Sequence, residues 1–319
     1  MFMTKETVLV IGACGQLGTE LVETLRGIYG ENNVIASDIR KGEGEVFENG
    51  PFEVLDILDT VRWKEILTKY KPTHIYHLAA LLSATAEVNP EYAWKLNMDG
   101  LFHVLNAAKE EGTGIKRVYW PSSIAAFGPN TPRQNTPQYG PMDPTTVYGI
   151  TKYTGELYIQ YYKNRYGVDT RSLRYPGLIG YKSAPGGGTT DYAVQIYHDA
   201  LAGVNHECFL NQGTVLPMLY MPDAIRATLE VMHAPEEKIK MRMSYNLAGM
   251  SFGPEEITKS IQNHLPDFTT IYKPDYRQAI AESWPAVIDD SLAKEHWGWK
   301  PEFDLDSMTT DMLLNLKKL

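Results

Sequence analysis

The stretch TVLVIGACGQLG, residues 7–18, limits what this chain can fold into more than any other. Its first half is a continuous apolar run rich in β-branched residues, which suits a strand buried on both faces. Gly12, Gly15 and Gly18 follow at three-residue spacing, and the helical pattern LGTELVETLRGIYG starts at once. In such a strand–turn–helix unit Gly12 permits the tight turn, Gly15 lets backbone approach a pyrophosphate, and Gly18 permits close helix–strand contact. The start of the helix adds free N–H groups for an anion. Three glycines alone describe any tight strand–helix turn. Here an acid is added, because Asp38 stands 20 residues after Gly18, at the end of a second β-rich run, NNVIASD (32–38). A carboxylate there hydrogen-bonds the adenosine ribose of a dinucleotide and repels a 2′-phosphate, so NAD is the expected cofactor. Arg40 is the nearby group able to accommodate a phosphate. Asp56, after the third run, is placed either to meet the adenine or to remain a solvated loop carboxylate.

The alternation continues through the first 120 residues. FEVLDILD (52–59), THIYHLAA (73–80) and KRVYWPSS (116–123) read as strands, separated by the helical VRWKEILTKY (61–70) and EYAWKLNMDGLFHVLNAAKEEG (91–112). Hydrophobic strands alternating with helices give an α/β fold, a Rossmann-type doubly wound parallel sheet. After Pro176 the pattern changes to glycines, prolines and irregular apolar runs, which suits a smaller, loop-rich C-terminal substrate lobe. The expected division is residues 1–176 as the NAD-binding domain and 177–319 as the lobe, with 213–235 returning to the first unit. His77 is expected to pack and hydrogen-bond at a strand end.

A formal charge of −9 with a pI near 5.4 argues against a nucleic-acid surface. No apolar run approaches the roughly 18–20 residues of a membrane helix. The opening MFMTKETVLVIG carries Lys5 and Glu6 around an apolar stretch too short for a signal sequence. Two cysteines, Cys14 and Cys208, make no disulfide framework, so a reducing, cytoplasmic setting is expected. No cluster of His, Cys, Asp or Glu has zinc-ligand spacing, and no metal is expected.

Tyr148 and Lys152 lie four residues apart, on one face of a helix. A free tyrosine is only about 0.1% phenolate at pH 7, and an adjacent ammonium favours the phenolate. Such a tyrosine can take the proton of an alcohol while hydride leaves the same carbon. The spacing gains meaning from Ser122 and Ser123 at the end of the 116–123 run, where a hydroxyl can orient the substrate oxygen.

Taken in order, the glycine turn, Asp38, HLAA (77–80), PSSIAAFG (121–128), Tyr148-x-x-x-Lys152 and RYPGLIG (174–180) resemble the extended short-chain dehydrogenases/reductases. The resemblance spans about residues 7–310. It implies a catalytic set of Ser123, Tyr148 and Lys152, and cofactor contacts from Gln16, Leu17, Leu78, Ala79 and Ala80. Phe127 stands where that family has a second tyrosine. LLSATAE (81–87), TPRQNTP (131–137), SAPGGGTTDYAV (183–194), LPMLYMPDA (216–224) and WPAVIDD (284–290) resemble the branch of the family that oxidises L-threonine at C3. That implies a role in threonine breakdown, with Ser83, Thr189 and the Gly188 backbone holding the amino-acid carboxylate and ammonium, and Trp284 near the mouth of the site. The glycine run Gly186–Gly188 then walls the substrate pocket, whereas a surface turn without ligand contact is the plain alternative. It also implies a homodimer through four helices, with Tyr153, Tyr158, Tyr161 and Tyr162 as core and contact residues. A nucleotide-sugar epimerase or dehydratase is the alternative within the family. Few Lys or Arg between 183 and 225 argue against a diphosphate there. A non-catalytic NAD sensor is the other alternative, and an intact proton-transfer set argues against it.

Overall fold

The first apolar run becomes the middle of a sheet. The computed structural model describes residues 6–186 and 188–318. Its central sheet holds β1 (Val8–Ile11), β2 (Val34–Asp38), β3 (Phe52–Val54), β4 (His74–His77), β5 (Arg117–Tyr119) and β6 (Thr170–Arg171). All are parallel, in the order β3-β2-β1-β4-β5-β6. Along β1 the side chains alternate between two layers. Val8 and Val10 pack into one apolar cluster and Leu9 and Ile11 into another, so both faces are covered, as a doubly wound sheet requires. The strand order reverses between β1 and β4, and the crevice beyond their C-terminal ends is where such folds bind ligands.

Several elements are shorter or more divided than periodicity suggests. Of the run 52–59 only Phe52–Val54 is strand, because Asp59 caps the helix Thr60–Tyr70 through the amides of Val61 and Arg62. The run 116–123 breaks after Tyr119. Ser122–Ser123 leaves the central sheet for a second one with Leu173–Tyr175 and Tyr245–Asn246. Pro121 sits at the break, where it has no N–H to give a ladder. The helix expected over 91–112 is three pieces, Pro90–Trp94, a π-helical turn Lys95–Asp99, and Gly100–Lys109. The extra residue in that turn accompanies a buried Asn97. Its Oδ1 accepts from the Leu81 amide at 2.8 Å, and its Nδ2 donates to the Leu81 carbonyl at 3.2 Å.

The 213–235 segment divides. Its strand Leu216–Tyr220 joins Gly177–Ile179 and Met250–Phe252 in a separate three-stranded sheet and adds nothing to the central one. Its helix Met221–His233 does come back, sharing an apolar cluster with the helix Gln16–Tyr29. Proline at 217 explains part of this, since a missing N–H is tolerated at an antiparallel margin and not inside the parallel sheet. Beyond residue 190 a third cluster, including Tyr192, Tyr197, Met308 and Met312, supports the C-terminal segments. Among the described residues no helix is long and apolar enough to cross a membrane.

Candidate active site

At the end of β1, Gly12 has φ +83°, and a Cβ there would lie 2.6 Å from the Ala79 nitrogen. Gly18 is pressed as closely, since its Cβ would meet the Gly12 carbonyl oxygen at 2.4 Å. Gly15 differs, with Gly12 O at 3.4 Å as its nearest neighbour. It is the N-cap of the helix Gln16–Tyr29, and no side chain caps that end. The Asp38 carboxylate accepts from the Cys14 amide at 2.9 Å and the Arg40 amide at 3.4 Å, which ties the end of β2 to the glycine turn. A cradle without side chains, an uncapped helix start and a fixed carboxylate are the donor and acceptor set that a dinucleotide needs.

This turn opens into a cleft of about 600 Å³. Gly12, Gly15, Gln16, Leu17, Gly18, Asp38, Asp56, Leu78, Ala79 and Ala80 line one part of it. Ser83, Ser123, Tyr148, Lys152, Gly188, Thr189 and Trp284 line the same cleft. Gly187 lies outside the described residues. The fold thus brings residues from eight separate stretches of chain to one cavity.

Tyr148 and Lys152 stand in the first turns of the helix Val147–Tyr166, whose N-cap Thr146 accepts from the Gly149 amide at 3.1 Å. The Lys152 ammonium donates to the Pro121 carbonyl at 2.6 Å and lies 5.5 Å from the centre of the Tyr148 ring. Ser123, whose Oγ accepts from the Ala125 amide at 3.2 Å, interacts with the Tyr148 phenol, while Ser122 turns away to donate to Glu156 at 2.5 Å. Burial pushes the Tyr148 phenol up to about 12, and the hydrogen bond with Ser123 opposes it. Burial brings the Lys152 ammonium down to about 7, and the Glu156 carboxylate opposes that. The lowering of the phenol expected from Lys152 is therefore not what the protein's own groups produce. Both partners are so deeply buried that desolvation outweighs their proximity.

One other expectation is corrected, the hydrogen bonding of His77. His77 is buried, but neither ring nitrogen has a hydrogen-bond partner among the described residues. Burial brings its pKa down to about 3, so it is neutral. Phe127 is in the core under the Arg174 guanidinium, 5.2 Å from its ring centre, and does not line the cleft. Burial pushes the Cys14 thiol up to about 11, which makes it a poor nucleophile. Among the described residues no group of His, Cys, Asp and Glu is arranged to hold a metal.

At the far end of the cleft, Ser83 and Thr189 are buried in the wall. The Gly188 N–H donates to Asp191 Oδ2 at 2.8 Å, so the backbone donor expected for a substrate carboxylate is already engaged. Asp191 itself lines the cleft and escaped the sequence reading. An acidic side chain can reach back to the backbone N–H three residues before it, as in a capping box, and the Gly188–Asp191 spacing is that pattern. Trp284 is held from behind. Arg133 Nε donates to the Trp284 carbonyl at 3.0 Å, and the Arg133 carbonyl accepts from the amides of Ala286 and Val287 at 2.8 and 3.0 Å.

With this geometry in hand, comparison with known proteins places the chain. The model of the NAD-dependent epimerase/dehydratase family matches residues 8–248. A GalE-like L-threonine dehydrogenase from Cupriavidus necator, in its holo form, superposes with a TM-score of 0.94 at 51% identity, covering 97% of this chain and 99% of that one. The L-threonine dehydrogenase of Clostridium difficile superposes with a TM-score of 0.95 at 48% identity, covering 98% of each. An uncharacterized epimerase/dehydratase of Staphylococcus aureus (strain USA300) is 49% identical over 308 residues, 96% of this chain and 95% of its own length. The chain belongs to the NAD-dependent epimerase/dehydratase family, is an NAD-dependent oxidoreductase, and takes NAD as its cofactor.

Proposed function

We propose that this family member oxidises L-threonine at C3 to 2-amino-3-oxobutanoate, a β-keto acid that then loses carbon dioxide to give aminoacetone. The observation that carries the reading is the charge of the cleft. Its cationic lining residues are Arg40, beside Asp38, and Lys152, which is already bonded to Pro121. The far end offers Ser83, Thr189, Thr190 and Asp191. A sugar-nucleotide diphosphate calls for Arg or Lys, whereas a small zwitterion is served by hydroxyls and one carboxylate. Full-length similarity to two L-threonine dehydrogenases supports the same conclusion.

NAD, when bound, supplies the hydride acceptor. Gly12, Gly15, Gln16, Leu17 and Gly18 would receive its pyrophosphate, Asp38 its adenosine ribose, and Leu78, Ala79 and Ala80 its nicotinamide side, with Asp56 toward the adenine. Tyr148 removes the proton of the threonine 3-hydroxyl, and Ser123 hydrogen-bonds the same oxygen. Lys152 in its ammonium form carries the positive charge that favours the phenolate, against the burial that opposes it. Ser83 and Thr189 donate to the substrate carboxylate. Asp191, with one oxygen on Gly188, has the other left to accept from the substrate ammonium. Trp284 closes the apolar side.

Residues 1–176 with the helix Met221–His233 act in this reading as the cofactor unit, and the remainder of 177–319 as the substrate lobe, in the cytoplasm. The exposed Ile150, Leu157, Tyr158 and Tyr161, near the exposed Tyr92 and Trp94, supply the apolar face of a homodimer built on four helices. Sedimentation at micromolar concentration should give twice the chain mass. NADH absorbance with L-threonine, with UDP-galactose and with neither decides the substrate. Threonine alone should give NADH, and formation of UDP-glucose from UDP-galactose without it would overturn the reading.

A further inference from the structure

One turn beyond Lys152, the same helix face carries Glu156, which is fully buried. Its carboxylate accepts from Arg174 Nη2 at 2.6 Å, Arg174 Nε at 2.8 Å and Ser122 Oγ at 2.5 Å. Arg174 is buried as well, and its Nη1 donates to the Gln138 carbonyl and to Asn246 Oδ1, each at 3.0 Å. Asn246 Nδ2 passes on to the carbonyls of Thr136 and Asp289 at 3.2 and 3.0 Å. Thr136 and Arg133 belong to the strap that holds the Trp284 segment. A buried ion pair is a weak source of stability, since apolar residues of equal volume often serve as well. This one stands where its sign matters. Its negative member stands one helical turn from Lys152 and acts on its charge, and its positive member is on the strand Leu173–Tyr175.

We propose that Glu156 is a positioning residue for proton transfer: its buried carboxylate, anchored by Arg174, keeps Lys152 an ammonium ion beside Tyr148. The proposal rests on the Tyr148/Lys152 chemistry above. The groups around Lys152 are Tyr148 and Glu156 on its own helix, the Trp120 ring at 4.5 Å and the Pro121 carbonyl between β5 and Ser122–Ser123, and His77 on β4 with His103 beyond it. His77 stays neutral, and His103 Nδ1 is engaged with the Ile57 carbonyl at 2.9 Å. Glu156 is thus the one anion in the set. Tyr148 and Lys152 share their titration, so the pair that has lost one proton exists as phenolate with ammonium or as phenol with neutral amine. Only the first can accept a proton at the phenol oxygen. Burial favours the second form, and a negative charge on the Lys152 side raises the share of the first.

The sign of the test follows. Removing the Glu156 charge makes the pair lose its first proton more easily, but in the inactive form. Side chains four apart on a helix are roughly 5–6 Å apart at Cβ, where at an effective dielectric of about 20 a unit charge moves a neighbour by about two pH units, and the Arg174 charge on the same carboxylate offsets part of this to leave about one to two. In Glu156→Gln the Lys152 Cε resonance, followed by 13C NMR in lysine-labelled protein and assigned by its loss in Lys152→Met, should titrate about one to two pH units lower. The kcat pH profile should show its first apparent pKa lowered and its plateau at least tenfold down. In Glu156→Gln/Arg174→Gln, which removes both charges and keeps the shapes, the resonance should return part of the way. Should the single variant not fold, the double variant against wild type still reports, and a smaller downward shift is expected. Unchanged Lys152 titration in whichever variants fold, or a lower plateau with an unmoved pKa, makes the pair a purely structural brace and overturns the proposal. The NMR arm needs no threonine, so failure of the substrate reading leaves it standing.

Discussion

Gly15 and Gly18 belong to one motif, yet replacing each with alanine should do opposite things. A Cβ at Gly18 would lie 2.4 Å from Gly12 O and 2.8 Å from both Ala13 Cα and Ala13 O. These are backbone atoms at the heart of the strand–turn–helix unit, so the helix Gln16–Tyr29 has to move off β1. Overpacking of this kind costs about 1–3 kcal/mol. The gain of alanine over glycine inside a helix offsets up to about 1 kcal/mol of it. A net loss of about 1–2 kcal/mol lowers Tm by roughly 2–8 °C in a chain of this size. At Gly15 the backbone has φ −78°, which alanine adopts freely, and the nearest atom is at ordinary contact, 3.4 Å. Tm of Gly15→Ala should therefore fall less, by about 1–3 °C, since no backbone has to move and the cost is that of alanine as a poorer N-cap than glycine, about 0.5–1 kcal/mol. Its methyl group would stand where the pyrophosphate must approach, and NADH affinity should drop at least tenfold. Thermal unfolding by circular dichroism without cofactor, paired with NADH fluorescence titration, separates the two. Equal losses of Tm in both variants, or unimpaired NADH binding by Gly15→Ala, would refute the assignment of these positions.

The other expectations are quickly stated. Asp38→Ser should erode the preference for NAD over NADP, seen in the ratio of kcat/KM for the two, and equal use of both by the unaltered enzyme would remove Asp38 from the ribose. Tyr148→Phe should lower turnover by about 10²–10⁴ while NAD binding persists, the usual worth of a positioned acid–base group; a tenth of normal turnover would require another base. Asp191→Asn keeps an acceptor for the Gly188 amide and loses the charge, so threonine kcat/KM should fall about ten- to hundred-fold, with NADH affinity unchanged. Glu20 is raised to about 7, chiefly by burial, against an ordinary value of 4.5. Between those values the unfolded chain releases a proton that the native chain retains, so this group's contribution to stability is lost as pH rises from about 4.5 to about 7. Glu20→Gln should therefore raise stability by roughly 1–2 kcal/mol at pH 8 and leave it nearly unchanged at pH 4, as measured by urea unfolding.

What could be read from the sequence is what local physics decides. A buried parallel strand must be apolar throughout, and a turn that a dinucleotide enters must lack side chains, so β1 and Gly12–Gly18 announce themselves within twelve residues. Tyr148 and Lys152 are legible because four residues make one helical turn. Pairings settled by tertiary packing are not. Glu156 and Arg174 are 18 residues apart in sequence and on different elements, and nothing local says that they meet. Asn97 is one polar residue in a helical run until Leu81 claims both ends of its amide and the helix widens to a π turn. The same limit explains the reversed expectation for Tyr148. Spacing shows that an ammonium stands beside a phenol, and proximity alone favours the phenolate. Burial is a property of the folded whole, and here it disfavours charge on both members, bringing the phenol to about 12 and the ammonium to about 7. A charge that opposes this burial has to come from a third group, and within the helix that carries both, Glu156 is the buried anion one turn away.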